Sequence, residues 1–342
     1  MERYVAIDNV CAWPNLTKMP DGAIVASIFN QPCHGAWEGD LECWASEDGG
    51  RTWHLRGTLA PHEPSTARMH VAAGLARNGD LVAIASGWTK RSPRELAASH
   101  ADEAGAEILP DWVCRSSDGG RTWSTSHDFP GAPEPGMMGV TPFGDVLQAA
   151  DGSLCVSAYG MRRDAPGTHN SAYLFRSDDD GRTWGDGTFI AKGNYNETAL
   201  LHLGEGRWLA AARTHRPGEL HQFTSEDDGR TWRFSQVLSL PGEHPGHLLR
   251  LPDGRILLTY GNRCPGHEGI DIRISDDEGR TWDWPRRLVA LDASDLGYPA
   301  TVASDDGRLV TAWYCSGCAA HQRYHMGVLI WDVNEVQPRH KP

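Results

Sequence analysis

The sequence has no surplus of basic residues. Its 342 residues carry 32 Lys and Arg against 45 Asp and Glu, a formal net charge of −13. A nucleic-acid partner is disfavoured, because neutralising phosphates needs a basic face. An anionic ligand is repelled at long range and needs a local cluster of arginines to hold it. No apolar run is long enough to span a bilayer, so no membrane partner is expected. The N-terminal MERYVAIDNVCAWPN has neither a basic n-region nor an apolar h-region, and the expectation is a cytoplasmic protein. Nothing specifies an oligomeric state. Paired cysteines are also scarce. Of eight scattered cysteines, only Cys315 and Cys318 form a C-x-x-C, with no second pair at zinc-ribbon spacing. They are expected to be reduced and partly buried thiols, and no metal or cofactor is called for.

What the chain does hold is turn-forming and sheet-packing residues: 38 Gly, 21 Pro and 14 Trp. Glycine and proline serve tight turns, and Trp fills the space between packed sheets, so the composition suits an all-β protein. Five near-identical segments recur: SEDGGRTW (46–53), SSDGGRTW (116–123), SDDDGRTW (177–184), SEDDGRTW (225–232) and SDDEGRTW (275–282). A second, independent series consists of six X-Gly steps between apolar runs: Asp21-Gly22, Asn78-Gly79, Asp151-Gly152, Glu205-Gly206, Asp253-Gly254 and Asp306-Gly307. Each is a hairpin signal, because glycine accepts the positive φ such a turn needs.

The first five hairpins each lead through a third strand towards a box, which predicts four-stranded units repeated radially. The fold expected is therefore a single-domain, all-β, six-bladed β-propeller over 1–342 with Asp-box repeats. The sixth hairpin has no box after it. HMGVLIWD (325–332) is its third strand and RYVAID (3–8) the natural fourth, so the N-terminal strand closes the ring in the last blade. Residues 89–112 are an insertion in the second blade. Within it Ser92-Pro93-Arg94-Glu95 is a capping box and predicts a short helix ending near Gly105. The boxes themselves read as structural. Ser and Asp side chains bond backbone N–H groups of a tight turn, whereas an EF-hand-like calcium loop needs more acids and a distal Glu.

In a propeller, the starts of the first strands and the loops after the second strands converge on one mouth, where a site is expected. The strand starts supply Asn15, His70, Asp145, Asn196, Glu197, His244, His247 and Tyr298. The loops supply His34, Glu38, Asp40, Trp88, Arg162, Arg163, Arg213, His215, Arg263 and Tyr314. So many His, Arg and acidic residues at equivalent places favour a polar, anionic ligand.

Beyond the boxes, three segments resemble the sialidase (neuraminidase) superfamily, and the resemblance covers nearly the whole chain. NETALLHLGEGRWLAAAR (196–213) resembles the family segment with a catalytic Glu at its start and a carboxylate-binding Arg at its end, here Glu197 and Arg213. GYPATVASDDGRLVTAWY (297–314) resembles the segment carrying the nucleophilic Tyr, here Tyr298. LTYGNRCPGHEGIDIRISDDEGRTW (258–282) resembles the segment carrying a further Arg, here Arg263.

The resemblance implies a retaining exo-glycosidase acting on a terminal sialic acid or related acidic sugar of a glycan. In such an enzyme a neutral phenol replaces the carboxylate nucleophile that the substrate's own carboxylate would repel. Tyr298, Glu197 and one of His34, Glu38 or Asp40 are the candidate catalytic residues. Arg213, Arg263, His70, His247, Arg162, Asn15, Trp88 and Tyr314 are the candidate substrate contacts. The family's first Arg, in an R-I-P motif, is absent: the corresponding stretch reads Ala12-Trp13-Pro14. Two alternatives stay open. One is a lyase or unusual glycosidase using His and Tyr on uronate-containing glycans, favoured by the density of His. The other is a non-catalytic glycan-binding propeller.

Overall fold

The X-Gly steps reverse the chain because their glycines take a backbone conformation that other residues adopt only with strain. Gly22, Gly79, Gly152, Gly206, Gly254 and Gly307 all have φ of 72–91°. The computed structural model describes residues 1–34, 38–89, 107–131, 133–164 and 167–336, apart from the side chains of 138 and 161–169. The expected helix over 92–105 lies outside the described residues.

Strand β1 (Glu2–Asp8) precedes a meander of β2 (Cys11–Lys18), β3 (Ile24–Phe29), β4 (Leu41–Ser46) and β5 (His54–Ala60). The next meanders are β6 (Thr66–Leu75), β7 (Leu81–Thr89), β8 (Trp112–Ser116) and β9 (Ser124–Ser126), then β10 (Met137–Gln148), β11 (Leu154–Asp164), β12 (Gly167–Ser177) and β13 (Gly185–Ala191). They are followed by β14 (Tyr195–Gly204), β15 (Arg207–Thr214), β16 (Leu220–Ser225) and β17 (Arg233–Val237). The last complete meander is β18 (Glu243–Arg250), β19 (Ile256–Asn262), β20 (Gly269–Ser275) and β21 (Arg286–Ala290). The chain ends in β22 (Leu296–Ala303), β23 (Leu309–Cys315) and β24 (His325–Trp331), and the fourth strand of that sheet is β1. β1 pairs antiparallel with β24 from Glu2↔Ile330 to Asp8↔His325, joining the two ends of the chain.

These strands make five hydrogen-bonded sheets rather than six separate ones. β6 and β10 pair in parallel at Ala72–Gly74 and Gly144–Val146, which fuses two meanders into an eight-stranded sheet. Gly74 permits the approach: a Cβ there would lie 2.3 Å from the Val146 carbonyl oxygen. The inner strands β2, β6, β10, β14, β18 and β22 pack in succession, and β22 returns to β2, giving a propeller-like arrangement. Apolar layers fill the spaces between neighbouring sheets. One holds Leu16, Ile28, Val310, Val328 and Ile330; another holds Leu201, Leu209, Leu248, Leu258 and Tyr260. No helix among the described residues is long and apolar enough to cross a membrane.

The five boxes share one bonding scheme. In the last, Ser275 Oγ donates to Asp277 Oδ1 at 2.8 Å and accepts the Gly279 N–H at 2.8 Å. Asp277 also accepts the Thr281 N–H at 2.8 Å and the Thr281 hydroxyl at 2.7 Å. Both carboxylate oxygens are thus occupied by the turn itself, which accounts for the motif without an ion. Burial works against ionisation of Asp48, Asp179 and Asp227, but the bonds from the box Thr and Ser and from backbone N–H groups outweigh it and hold them at about 2. The folded pKa is depressed from the usual 3.8, so this stabilisation is complete above pH 4 and is lost as pH falls towards 2. Asp277→Ala is expected to lower stability by about 1 kcal/mol at neutral pH, the scale of a lost capping residue. Denaturation midpoints of the two proteins at pH 7 and pH 3 check this; the gap should narrow at the lower pH.

Candidate active site

The inner strands lose register near their starts, and the site residues sit at those breaks. The shifts fall at Cys11/Asn15 in β2, Arg68/His70 in β6, Tyr195/Thr198 in β14, Glu243/Gly246 in β18 and Gly297/Ala300 in β22. In β10 a shift at Phe143/Leu147 brackets Asp145. A bulge bends its strand and re-aims a side chain, and here the bulges turn Trp13, His70, Asp145, Glu197, His244 and Tyr298 to one region. Tyr298 itself takes φ +50°, a conformation that costs a non-glycine residue about 1–3 kcal/mol. The neighbouring sheet comes close at this point. A Cβ on Gly261 would lie 2.8 Å from the His244 carbonyl oxygen and 3.0 Å from Gly297 Cα.

The hairpins explain which residues meet. The turn at Glu205-Gly206 makes β14 and β15 antiparallel, so residue 197 comes opposite residue 213 although 16 positions separate them. Arg213 Nη1 bonds Glu197 Oε2 and reaches the Tyr298 hydroxyl at 3.4 Å. Tyr298, from β22, donates its hydroxyl to Glu197 Oε1. The hairpin turning at Asp306-Gly307 brings Tyr314 opposite Gly297. Arg263, at the end of β19, donates from Nε to the Leu296 carbonyl at 2.9 Å and from Nη2 to the Tyr314 hydroxyl at 3.1 Å. Its Cζ lies 5.6 Å from the Tyr298 ring centroid. Both bonding partners of Arg263 are neutral, and its Nη1 has no hydrogen bond among the described residues, leaving capacity for an anion.

Burial, reinforced by the Glu197 charge, pushes the Tyr298 phenol far above its usual range, so it is neutral at physiological pH. Burial also opposes ionisation of Arg213, but the charge of Glu197 and its bond to the guanidinium outweigh it and keep Arg213 fully protonated. His244 is held far below its usual 6.5, by burial first and then by the charges of Arg213 and Arg263. In the native protein it therefore stays neutral where the unfolded chain takes up a proton. The resulting stability is complete above about pH 6.5 and is lost as the pH falls, by about 1.4 kcal/mol per pH unit for one proton. His244→Gln is expected to flatten the dependence of the denaturation midpoint on pH between 6.5 and 4.5. An unchanged slope would contradict this assignment.

Aromatic rings frame the cluster. Trp13 stacks on Tyr298 at 4.9 Å and on His70 at 4.7 Å, and His70 meets Trp88 edge-on at 4.8 Å. Below them, Asn15 Nδ2 donates to Asp145 Oδ1 at 3.1 Å and His247 Nε2 lies 3.1 Å from Asp145 Oδ2. The cavity bounded by Trp13, Asn15, His70, Asp145, His247 and Tyr298 also takes in Phe143 and Tyr159. His34 stands beside Trp13, Tyr314 and Tyr324, and its Nε2 is 3.5 Å from Asp295 Oδ2. Asp295 accepts the hydroxyls of both Tyr314 and Tyr324. Burial opposes its ionisation, but the facing His34 and those two hydroxyls hold its pKa below the usual range.

The other candidates from the 34–40 loop have different neighbours. Asp40 bonds the His62 ring and N–H at 2.7 Å, and Glu38 accepts the Ser65 N–H at 2.7 Å. Neither lines the cavity around Tyr298, and His34 lies outside its lining as well. Arg162 lies on β11, and its side chain falls outside the described residues. Trp13, Tyr159, Asp295 and Tyr324 join the site without having been singled out by sequence. Asp295 had one available signal, an acid three residues before Tyr298. Tyr324 had none, because nothing in the loop before β24 specifies which side chain turns inward.

A ring of meanders fastened by S-x-D-x-G-x-T-W turns defines an Asp-box protein. Residues 95–311 match the family described as a BNR repeat-like domain, and the chain belongs to it. Among solved structures it is similar to a protein of unknown function from Dyadobacter fermentans DSM 18053, at 24% identity and TM-score 0.81, covering 97% of this chain and 98% of that one. It is also similar to the Hadza microbial sialidase Hz136, at 18% identity and TM-score 0.72, covering 98% of this chain and 69% of that one. The intramolecular trans-sialidase from Ruminococcus gnavus aligns at 13% identity and TM-score 0.70, covering 97% and 96%. At such identities the likeness is one of fold.

Proposed function

We propose that the chain is a six-bladed propeller, its eight-stranded sheet comprising two blades, and a retaining exo-glycosidase for a terminal sialic acid or related acidic sugar. The observation that carries the proposal is the contact of the Tyr298 hydroxyl with the Glu197 carboxylate, with Arg213 touching both. As the phenolic oxygen bonds the anomeric carbon, its proton passes to Glu197. The bond to the aglycone breaks, and the aglycone oxygen takes a proton from the acid of the 34–40 loop. Water then attacks the anomeric carbon as its bond to the Tyr298 oxygen breaks, giving its proton to that same loop group, while Glu197 returns a proton to Tyr298.

Arg263 and Arg213 face the substrate carboxylate, and the Trp13 ring stacks on Tyr298. His34 is the acid/base best placed for this, because its neighbours are Trp13, Tyr314 and Asp295. Incubation with a fluorogenic sialoside tests the proposal: release by the intact protein and none by Tyr298→Phe is expected. No release by the intact protein defeats it for simple sialosides.

The placement of both His34 and His70 against Trp13 favours a second reading, proton abstraction beside an Arg-neutralised uronate carboxylate. Growth of ultraviolet absorbance from an unsaturated uronate would select it. Binding to acidic glycans without turnover would instead select a recognition role.

A further inference from the structure

The loop between β23 and β24 gathers three side chains that no step of the chemistry above uses. Cys318, His321 and His325 follow a C-x2-H-x3-H spacing, and their ligand atoms all lie within 4.8 Å of one another. The turn is closed by the Cys318 N–H on the His321 carbonyl at 2.8 Å and by the His321 N–H on the Cys318 carbonyl at 3.2 Å. Residues that exchange both bonds stand directly opposite, with their side chains on the same face. His325 opens β24, its ring 5.3 Å from that of His321 and nearly perpendicular to it.

Each imidazole has one nitrogen engaged and the other available. His325 Nδ1 faces the Arg323 carbonyl at 3.3 Å, which leaves Nε2 as the lone-pair nitrogen. His321 Nε2 faces Asp8 Oδ1 at 3.5 Å, while its Nδ1 is buried without a hydrogen-bond partner. Asp8 is itself fixed by Arg323, whose Nε donates to its two oxygens at 2.9 and 3.1 Å. A carbonyl or carboxylate behind each imidazole is the arrangement that sets tautomer and orientation in metal-binding histidines. A buried nitrogen with no partner is otherwise unfavourable.

We propose that Cys318 Sγ, His321 Nδ1 and His325 Nε2 bind one zinc(II) ion, with water in the fourth position. One thiolate and two imidazoles suit a tetrahedral, borderline-soft ion, and the Cys318 thiol releases its proton to solvent on binding. Cys315, the other half of the C-x-x-C, is not a ligand: its buried thiol donates to the Gly317 carbonyl at 3.1 Å. The ion fastens the place where the chain ends meet, since Asp8 is the last residue of β1 and pairs with His325 in the ladder. The same loop carries Tyr324, which bonds Asp295.

Titration of the full-length, chelator-treated protein with cobalt(II), which reports thiolate ligation by absorbance, tests the site. One cobalt per chain with a thiolate-to-metal band, displaced by zinc, is expected. The band should vanish in Cys318→Ser and persist in Cys315→Ser, and Asp8→Asn should weaken affinity by about tenfold or more. Zinc should raise the thermal midpoint of the unmodified protein and leave that of Cys318→Ser unmoved. The proposal is overturned by the absence of a thiolate band in the folded protein, or by a band undiminished in Cys318→Ser.

Discussion

Tyr298→Phe is expected to lower turnover by about 10³-fold or more while leaving the fold in place, because it removes one oxygen and keeps the ring. That oxygen is the atom bonded to Glu197 and 3.4 Å from Arg213. The ring stays packed between Trp13 and the Tyr314 side. The loss is asked of chemistry and not of stability: one hydrogen bond to a charged group is worth about 1.5–3 kcal/mol. The backbone at Tyr298 keeps its positive φ in the variant, since the bulge of β22 and the approach of Gly261 set it. Kinetics with an acidic-sugar glycoside, together with a thermal midpoint, separate the two effects. A Phe variant with full turnover would remove Tyr298 from the reaction.

Arg213→Met is expected to have the largest effect on stability of any change at the site. The Glu197 side chain is 8% exposed and that of Arg213 is 18% exposed, so the substitution leaves a buried carboxylate without its countercharge. Breaking a buried pair from one side costs about 3–5 kcal/mol. Adding Glu197→Gln to Arg213→Met removes the stranded charge and should recover part of that loss, with a coupling of about 1–3 kcal/mol. Activity should be absent from both single variants and from the double variant. Denaturation midpoints across the four proteins give the coupling directly, and additive losses would show that the two side chains do not act as a pair.

The strand plan was written plainly in the sequence because it depends on local chemistry. Six X-Gly steps and five boxes each encode a turn within a few residues, and those turns set the meanders. The fusion of two meanders at β6 and β10 was not legible. It depends on Gly74 meeting Val146 across 72 positions, and a single glycine in a strand does not reveal what will approach it.

The site divides the same way. Glu197 with Arg213, and Tyr298 with Tyr314, are each the two ends of a hairpin, so their meeting follows from the turn between them. The contact of Tyr298 with Glu197 spans 101 positions and depends on ring curvature and on bulges that no local pattern announces. The 34–40 loop shows the limit most clearly. His34, Glu38 and Asp40 are equivalent by position, yet His62 and Ser65, from a different segment, take up the two acids and leave His34 beside Asp295.

The most direct test of a Tyr298-centred acidic-sugar site is mass spectrometry of the protein after exposure to a 2,3-difluorinated sialic acid. Fluorine at the neighbouring carbon slows both formation and breakdown of a glycosyl intermediate, and departure of fluoride from the anomeric carbon speeds formation alone, so the intermediate accumulates. One sugar attached per chain, on the peptide containing Tyr298 and missing from Tyr298→Phe, is the predicted result. An unlabelled protein, or equal labelling of Tyr298→Phe, would contradict it.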